Sequence, residues 1–189
     1  LGRGFRHLAW YATYDHGCFA IQRTNFCNTV RDKGLPIHMV VDASLARKDM
    51  LKSVPYVANR LKRLPKPLAV MAGTDYWATV LAKACKYARF AIPHQVAILG
   101  AGDDSVDREM SPVPLSYVNL NDERGGYEAA ALLDRMMDGH PPAELSVTIE
   151  PVGVVTSVST DAFAVEHAGI RRALEFIQKR FVEPIRVQD

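Results

Sequence analysis

Apolar residues along this chain occur in two alternating patterns. Short dense runs at His7–Thr13, Ile37–Asp42, Leu68–Gly73 and Val96–Gly100 predict buried strands. The segments between them repeat their apolar positions at helical spacing. Phe19–Lys33 ends before Gly34, Val54–Leu64 is closed by Pro65, and a helix capped by Asp75 runs to about Arg89, ahead of Pro93. Strands alternating with helices predict βαβ units, and hence an α/β fold built on a parallel sheet with flanking helices.

The rhythm breaks at Ser111-Pro112-Val113-Pro114. A further strand, Leu115–Leu120, leads into a helix over Glu123–Asp138, capped by Asn121 or Asp122 and stopped at Gly139. Ala129, Leu132, Leu133 and Met136 share one face of it, which predicts a helix buried against a sheet. A strand region at Ser146–Thr156 follows. A last helix, Glu166–Phe181, carries Ile170, Leu174, Ile177 and Phe181 on one stripe. The sequence shows no internal repeat.

Composition narrows the class without naming it. With 189 residues, 48% hydrophobic and 23% charged, the chain can bury a substantial core. A net charge of +2, with the basic residues scattered, gives no complete nucleic-acid-binding surface. Cys18, Cys27 and Cys85 are odd in number and lack metal-ligand spacing, so a reducing cytoplasm is expected, with no cofactor or metal. No stretch approaches the roughly 20 apolar residues of a membrane span. The Leu1 start suggests a fragment boundary, and a cut sheet with uncovered edges is expected to self-associate.

Asp75, Asp103 and Asp104 fall just past the carboxyl ends of predicted strands, where open α/β sheets bind ligands. Carboxylates there suit sugar hydroxyls, but the same residues equally suit a helix cap and a turn. Leu99-Gly100-Ala101-Gly102 lacks the third glycine of a dinucleotide turn, and adjacent aspartates would repel phosphate. The six histidines show no catalytic or metal pairing and there is no GxSxG, which argues against an enzyme. Trp77 and Tyr76 are candidates to stack on a sugar ring, whereas Trp10 lies within a strand and reads as core.

Several runs occur in a familiar order: Gly4–Tyr11, Leu68–Ala72 before Thr74-Asp75, and Ile92-Pro93 before Val96–Gly100. Together they resemble the periplasmic-binding-protein-like effector core of LacI/GalR-type regulators. Ser111–Ser116, Gly126–Ala130 with Leu132-Leu133, and Val154–Thr156 before Ser159-Thr160-Asp161 resemble the xylose operon regulators within that group. Ala173–Ile177 and Glu183–Val187 resemble the opening of an AraC-type DNA-binding domain.

The resemblance implies a partial effector-binding domain over residues 1–165: most of the second lobe over about 5–110, and return segments of an incomplete first lobe over about 111–156. Residues 166–189 would open a truncated AraC-type domain. It further implies a small sugar of the xylose type as effector, operator DNA bound through the missing C-terminal module, and a homodimer. A periplasmic-type sugar-binding protein and a small doubly wound enzyme are the alternatives.

Carried over residue by residue, the sugar-contacting positions are Cys18, Gln22, Thr74, Asp75, Gly102 and Asp103, with Asp104 beside them. Cys18 stands at the family's tryptophan and Gln22 at its arginine. Thr74-Asp75 replaces an Asn-Asp pair, and Gly102-Asp103-Asp104 an Asp-Asn-Asp run. Each lost charged hydrogen bond costs on the order of 1.5–3 kcal/mol, so these changes predict weak xylose binding, a different effector, or lost sensing.

Overall fold

The computed structural model describes residues 3–13, 17–40, 50–102, 104–140 and 146–162, with helical positions at 169, 170, 172, 173, 176 and 177. Its elements run β1 (His7–Tyr11), α1 (Cys18–Asp32), β2 (Ile37–Met39), α2 (Met50–Lys62), β3 (Leu68–Ala72), α3 (Asp75–Ala88), β4 (Val96–Ala101), α4 (Ser105–Glu109), β5 (Ser116–Asn119), α5 (Asp122–Met137) and β6 (Gly153–Val155). A 3-10 turn follows at Val158–Thr160.

Among the described residues all strands join one sheet in the order β2-β1-β3-β4-β5-β6, parallel throughout except for β6, which runs antiparallel to β5. From β1 the chain moves outward to β2, then crosses back past β1 to β3. The order therefore reverses between β1 and β3, and the carboxyl ends of these two strands flank the crevice where such sheets bind ligands. Right-handed crossovers place α1 on one face and α2, α3 and α4 on the other. The α2–α3 side is the better covered: Leu68, Val70 and Ala72 of β3 are buried, whereas Ala69 and Met71 between them are only partly so.

The four expected N-terminal strands and the helices between them are present, with ends shifted by a few residues. Residues 41–49 and the expected end of the second strand lie outside the described residues. Asp75 is the first residue of α3 rather than its cap. Thr74 caps the helix, its Oγ1 accepting the Trp77 N–H at 3.2 Å. The short α4 was not expected, and it follows a cap by Asp104, whose Oδ1 accepts the Asp107 N–H at 3.1 Å.

Three differences concern the second half. β5 does not leave the first sheet but pairs with β4, Tyr117 opposite Gly100 and Val118 opposite Ala101. α5 was expected to be buried on one face, yet none of its residues is buried, and Leu133 and Met136 are 58% and 50% exposed. The helix forms because its spacing and its Asp122-Glu123 first turn favour one. No described element covers its apolar face. Of the expected Ser146–Thr156 strand region only Gly153–Val155 is paired, and the expected last helix falls mostly outside the described residues.

Buried hydroxyls fasten the end of the described chain to the sheet. Ser159 Oγ donates to the Ile98 carbonyl at 2.6 Å and accepts the Ser116 N–H at 2.8 Å, with Ser159 fully buried. Ser116 Oγ lies 2.7 Å from Thr160 Oγ1 and donates to the Ser157 carbonyl at 3.0 Å. These hydroxyls give partners to the Ser116 and Ser157 amides and to the Ile98 and Ser157 carbonyls where the 3-10 turn meets β4 and β5.

Candidate ligand-binding site

The carboxyl ends of β1, β3 and β4 bring together the start of α1, the Thr74-Asp75 turn and Gly102. Aromatic packing joins the first two. Phe19, at the start of α1, meets Trp77 of α3 edge-on with ring centroids 4.8 Å apart, and Tyr11 at the end of β1 meets the same tryptophan at 6.5 Å. Trp77 and Trp10 are both buried, so Trp77 is the keystone of this edge rather than an open stacking platform. Tyr76, 39% exposed, is the more accessible ring. Burial, with Tyr76 nearby, pushes the Tyr11 hydroxyl well above the usual phenol range.

On α1, Cys18 is exposed and Gln22, one turn on, is half-buried. Gln22 Oε1 is buried with no hydrogen-bond partner, an acceptor that a ligand hydroxyl could satisfy. Thr74 Oγ1 is engaged as the α3 cap. Gly102 closes β4 with its N–H donating to the Val118 carbonyl at 3.0 Å. Its φ of 131° is one that L side chains rarely adopt, so an aspartate could occupy this position only with a backbone shift. Asp103 lies outside the described residues.

Asp75 is the most constrained member. Its side chain has no exposed surface, and its Oδ2 accepts Arg108 Nη1 at 2.6 Å and the Asp104 N–H at 3.2 Å, while Oδ1 has no partner. Burial pushes its carboxyl above the ordinary value, opposed by the hydrogen bond and charge of Arg108 and by the Asp104 amide. Arg108 in turn lies over Tyr117, its guanidinium carbon 3.8 Å from the ring centroid. Sequence reasoning missed both Arg108 and Tyr117. The signal that would have pointed to them is physical: a carboxylate buried at a helix start needs a cation within reach.

Among the described residues no group of three histidine, cysteine or acidic side chains could hold a metal ion, and no helix is long and apolar enough to cross a membrane. The site offers hydrogen-bond acceptors and aromatic edges, groups suited to a polyhydroxylated small molecule.

Residues 1–160 match the periplasmic binding protein-like domain family. The chain belongs to that family. Within it, the chain is related to xylose operon regulatory proteins. The one from Haemophilus influenzae is 25% identical over 188 residues, covering 98% of this chain and 49% of that protein. The one from Escherichia coli K12 is 27% identical over 131 residues, covering 69% of this chain and 33% of that protein.

Structural likeness agrees with the family assignment. A xylose-binding transcription activator superposes with a TM-score of 0.76 at 22% identity, over 97% of this chain and 49% of its own. A periplasmic binding protein/LacI transcriptional regulator from Alkaliphilus metalliredigens, complexed with D-xylulofuranose, gives 0.69 at 20% identity, over 85% and 59%. At these identities the likeness establishes the periplasmic-binding-protein-like fold. The chain spans about half the length, or less, of the curated relatives it matches.

Proposed function

We propose that these residues are the effector-sensing portion of a transcription regulator of carbohydrate metabolism, taking up a small sugar at the carboxyl edge of the sheet. The observation that carries this reading is one of extent. The family match ends at residue 160, yet similarity to the Haemophilus influenzae regulator covers 98% of the chain and so continues past that point. A stand-alone sugar-binding protein gives no reason for that continuation.

On this reading residues 1–165 are a partial sensor, with 5–110 and the strands β5 and β6 in the second lobe and the α5 segment between those strands reaching the first, and 166–189 open an AraC-type DNA-binding domain. The uncovered apolar face of α5 fits a segment whose packing partner belongs to the first lobe. The regulator works in the cytoplasm, as a homodimer, on operator DNA bound by the C-terminal module; it is not an enzyme. Its effector is a pentose or a related sugar. Gln22 and Gly102, without the charges implied by the resemblance, make xylose a weaker ligand than in the related regulators.

The reading frame beyond Asp189 tests the proposal. About 80 to 100 further residues bearing two helix-turn-helix patterns are expected. A stop codon directly after Asp189 would contradict the fused DNA-binding module.

A further inference from the structure

Four side-chain positions from four elements meet on one row of the sheet. Gly100 of β4 and Tyr117 of β5 are register partners, side by side on the face that α3 and α4 cover. Asp75 sets its Oδ1 over Gly100, where a β-carbon would overlap it. Arg108 lays its guanidinium over Tyr117 and donates to Asp75 Oδ2 at 2.6 Å. The missing side chain at one position seats the carboxylate, and the ring at the next shelves the cation.

The pair ties together α3, α4 and β5 at the carboxyl edge of the sheet. Asp75 follows the Thr74 cap directly, and its Oδ2 also accepts the amide of Asp104, two residues beyond Gly102. Thr79 Oγ1 adds a second tie between α3 and α4, donating to the Asp107 carbonyl at 2.7 Å. Tyr117 lies on β5, the strand that leads through Asn121 to α5. Burying both charges carries a desolvation cost, with Asp75 fully buried and the Arg108 side chain 15% exposed. Such a pair is poorly explained as a source of stability alone.

We propose that Arg108 is a positioning residue of the ligand site. Acting through Asp75, it holds Thr74, Gly102 and Asp104 as one rigid lip and fixes that lip to the outgoing strand β5. This rests on the sugar-sensing reading above and adds to it the residue that orders the site without touching the ligand.

The test uses the full product of this reading frame with Arg108→Met and with the double variant Asp75→Asn/Arg108→Met, read by amide hydrogen exchange, melting temperature and xylose titration. In Arg108→Met, exchange at the Asp104 amide rises at least ten-fold relative to Leu81 inside α3, the melting temperature falls, and xylose affinity drops by ten-fold or more. The double variant removes the unpaired buried charge, so its melting temperature recovers. Its Asp104 exchange stays fast and its xylose affinity stays low.

Recovery of affinity and Asp104 protection together with the melting temperature would show that Arg108 only neutralises Asp75, overturning the proposal. Unchanged Asp104 exchange in Arg108→Met would overturn it as well. If the unaltered chain takes up no xylose while exchange behaves as stated, it is the pentose reading that fails, and the ordering of the lip by Arg108 stands.

Discussion

Asp75 sets its Oδ1 against Gly100, in a space that a single methyl group at position 100 would fill. The contact lies between the first turn of α3 and the carboxyl end of a central strand, and neither side is free to move: Asp75 and Gly100 are both buried. Gly100→Ala is therefore expected to cost about 2 kcal/mol through overpacking, measured by urea unfolding. Gly126→Ala is the control. Gly126 is in α5 with open space around it, and alanine there should raise stability by up to about 1 kcal/mol through helix propensity.

The Ser159 hydroxyl is the second point at which one atom holds two segments. Ser159→Ala removes an acceptor for the Ser116 N–H and a donor for the Ile98 carbonyl, both inside the sheet. A loss of about 2 to 3 kcal/mol is expected in denaturant titration. Thr29→Ala, which removes only an exposed hydroxyl bonded back to the Asn25 carbonyl of its own helix, should stay within about 0.5 kcal/mol of the unaltered chain.

His38 sets an acid limit on stability. Its pKa is lowered by burial first, then by His7, whose ring centroid is 5.6 Å away, and by Lys66. A base whose folded pKa lies below its unfolded value is neutral in the fold, so it takes up a proton more readily on unfolding. Stability is thus complete above the unfolded value of about 6.5 and falls as pH drops from there toward the lowered one. Melting temperature should decline across that window, and His38→Asn should flatten the decline. An equally steep decline in His38→Asn would assign the effect to other groups.

Thiol chemistry separates the edge of the site from the core. Cys18 is exposed at the start of α1, whereas Cys85 is fully buried, and burial pushes its thiol up to about 12. At pH 8 a thiol reagent should modify Cys18 quickly and Cys85 only on unfolding. Because the folded Cys85 pKa lies above the model-peptide value of about 8.5, its contribution to stability falls as pH rises past that value. If Cys18 borders the sugar, saturating ligand should slow its modification.

Much of the sheet was legible in the sequence, because β1, β3 and β4 are apolar runs bounded by helical periodicity, and their burial follows directly. Less was visible where local pattern and tertiary partner part company. The apolar face of α5 was read from spacing, but burial depends on a neighbour, and no described element supplies one. α4 spans only Ser105–Glu109, too short for a periodic signal. Asp75, Asp103 and Asp104 were placed at strand ends from the residue pattern, and Thr74 and Gly102 came through the family resemblance; in the structure Thr74 and Asp75 follow β3, and Gly102 and Asp104 follow β4. The pairing of Asp75 with Arg108, 33 residues away, depends on a sheet register that no local pattern encodes.

Calorimetric titration of xylose, arabinose and ribose into the full product of this reading frame, beside its Gln22→Ala and Thr74→Val variants, tests the central claim most directly. The account predicts saturable heat with at least one pentose, and affinity at least ten-fold lower in Gln22→Ala, whose lost amide oxygen is the buried acceptor on α1. Saturable binding that neither variant alters, or no binding of any pentose at millimolar concentration, would contradict a sugar site at this edge of the sheet.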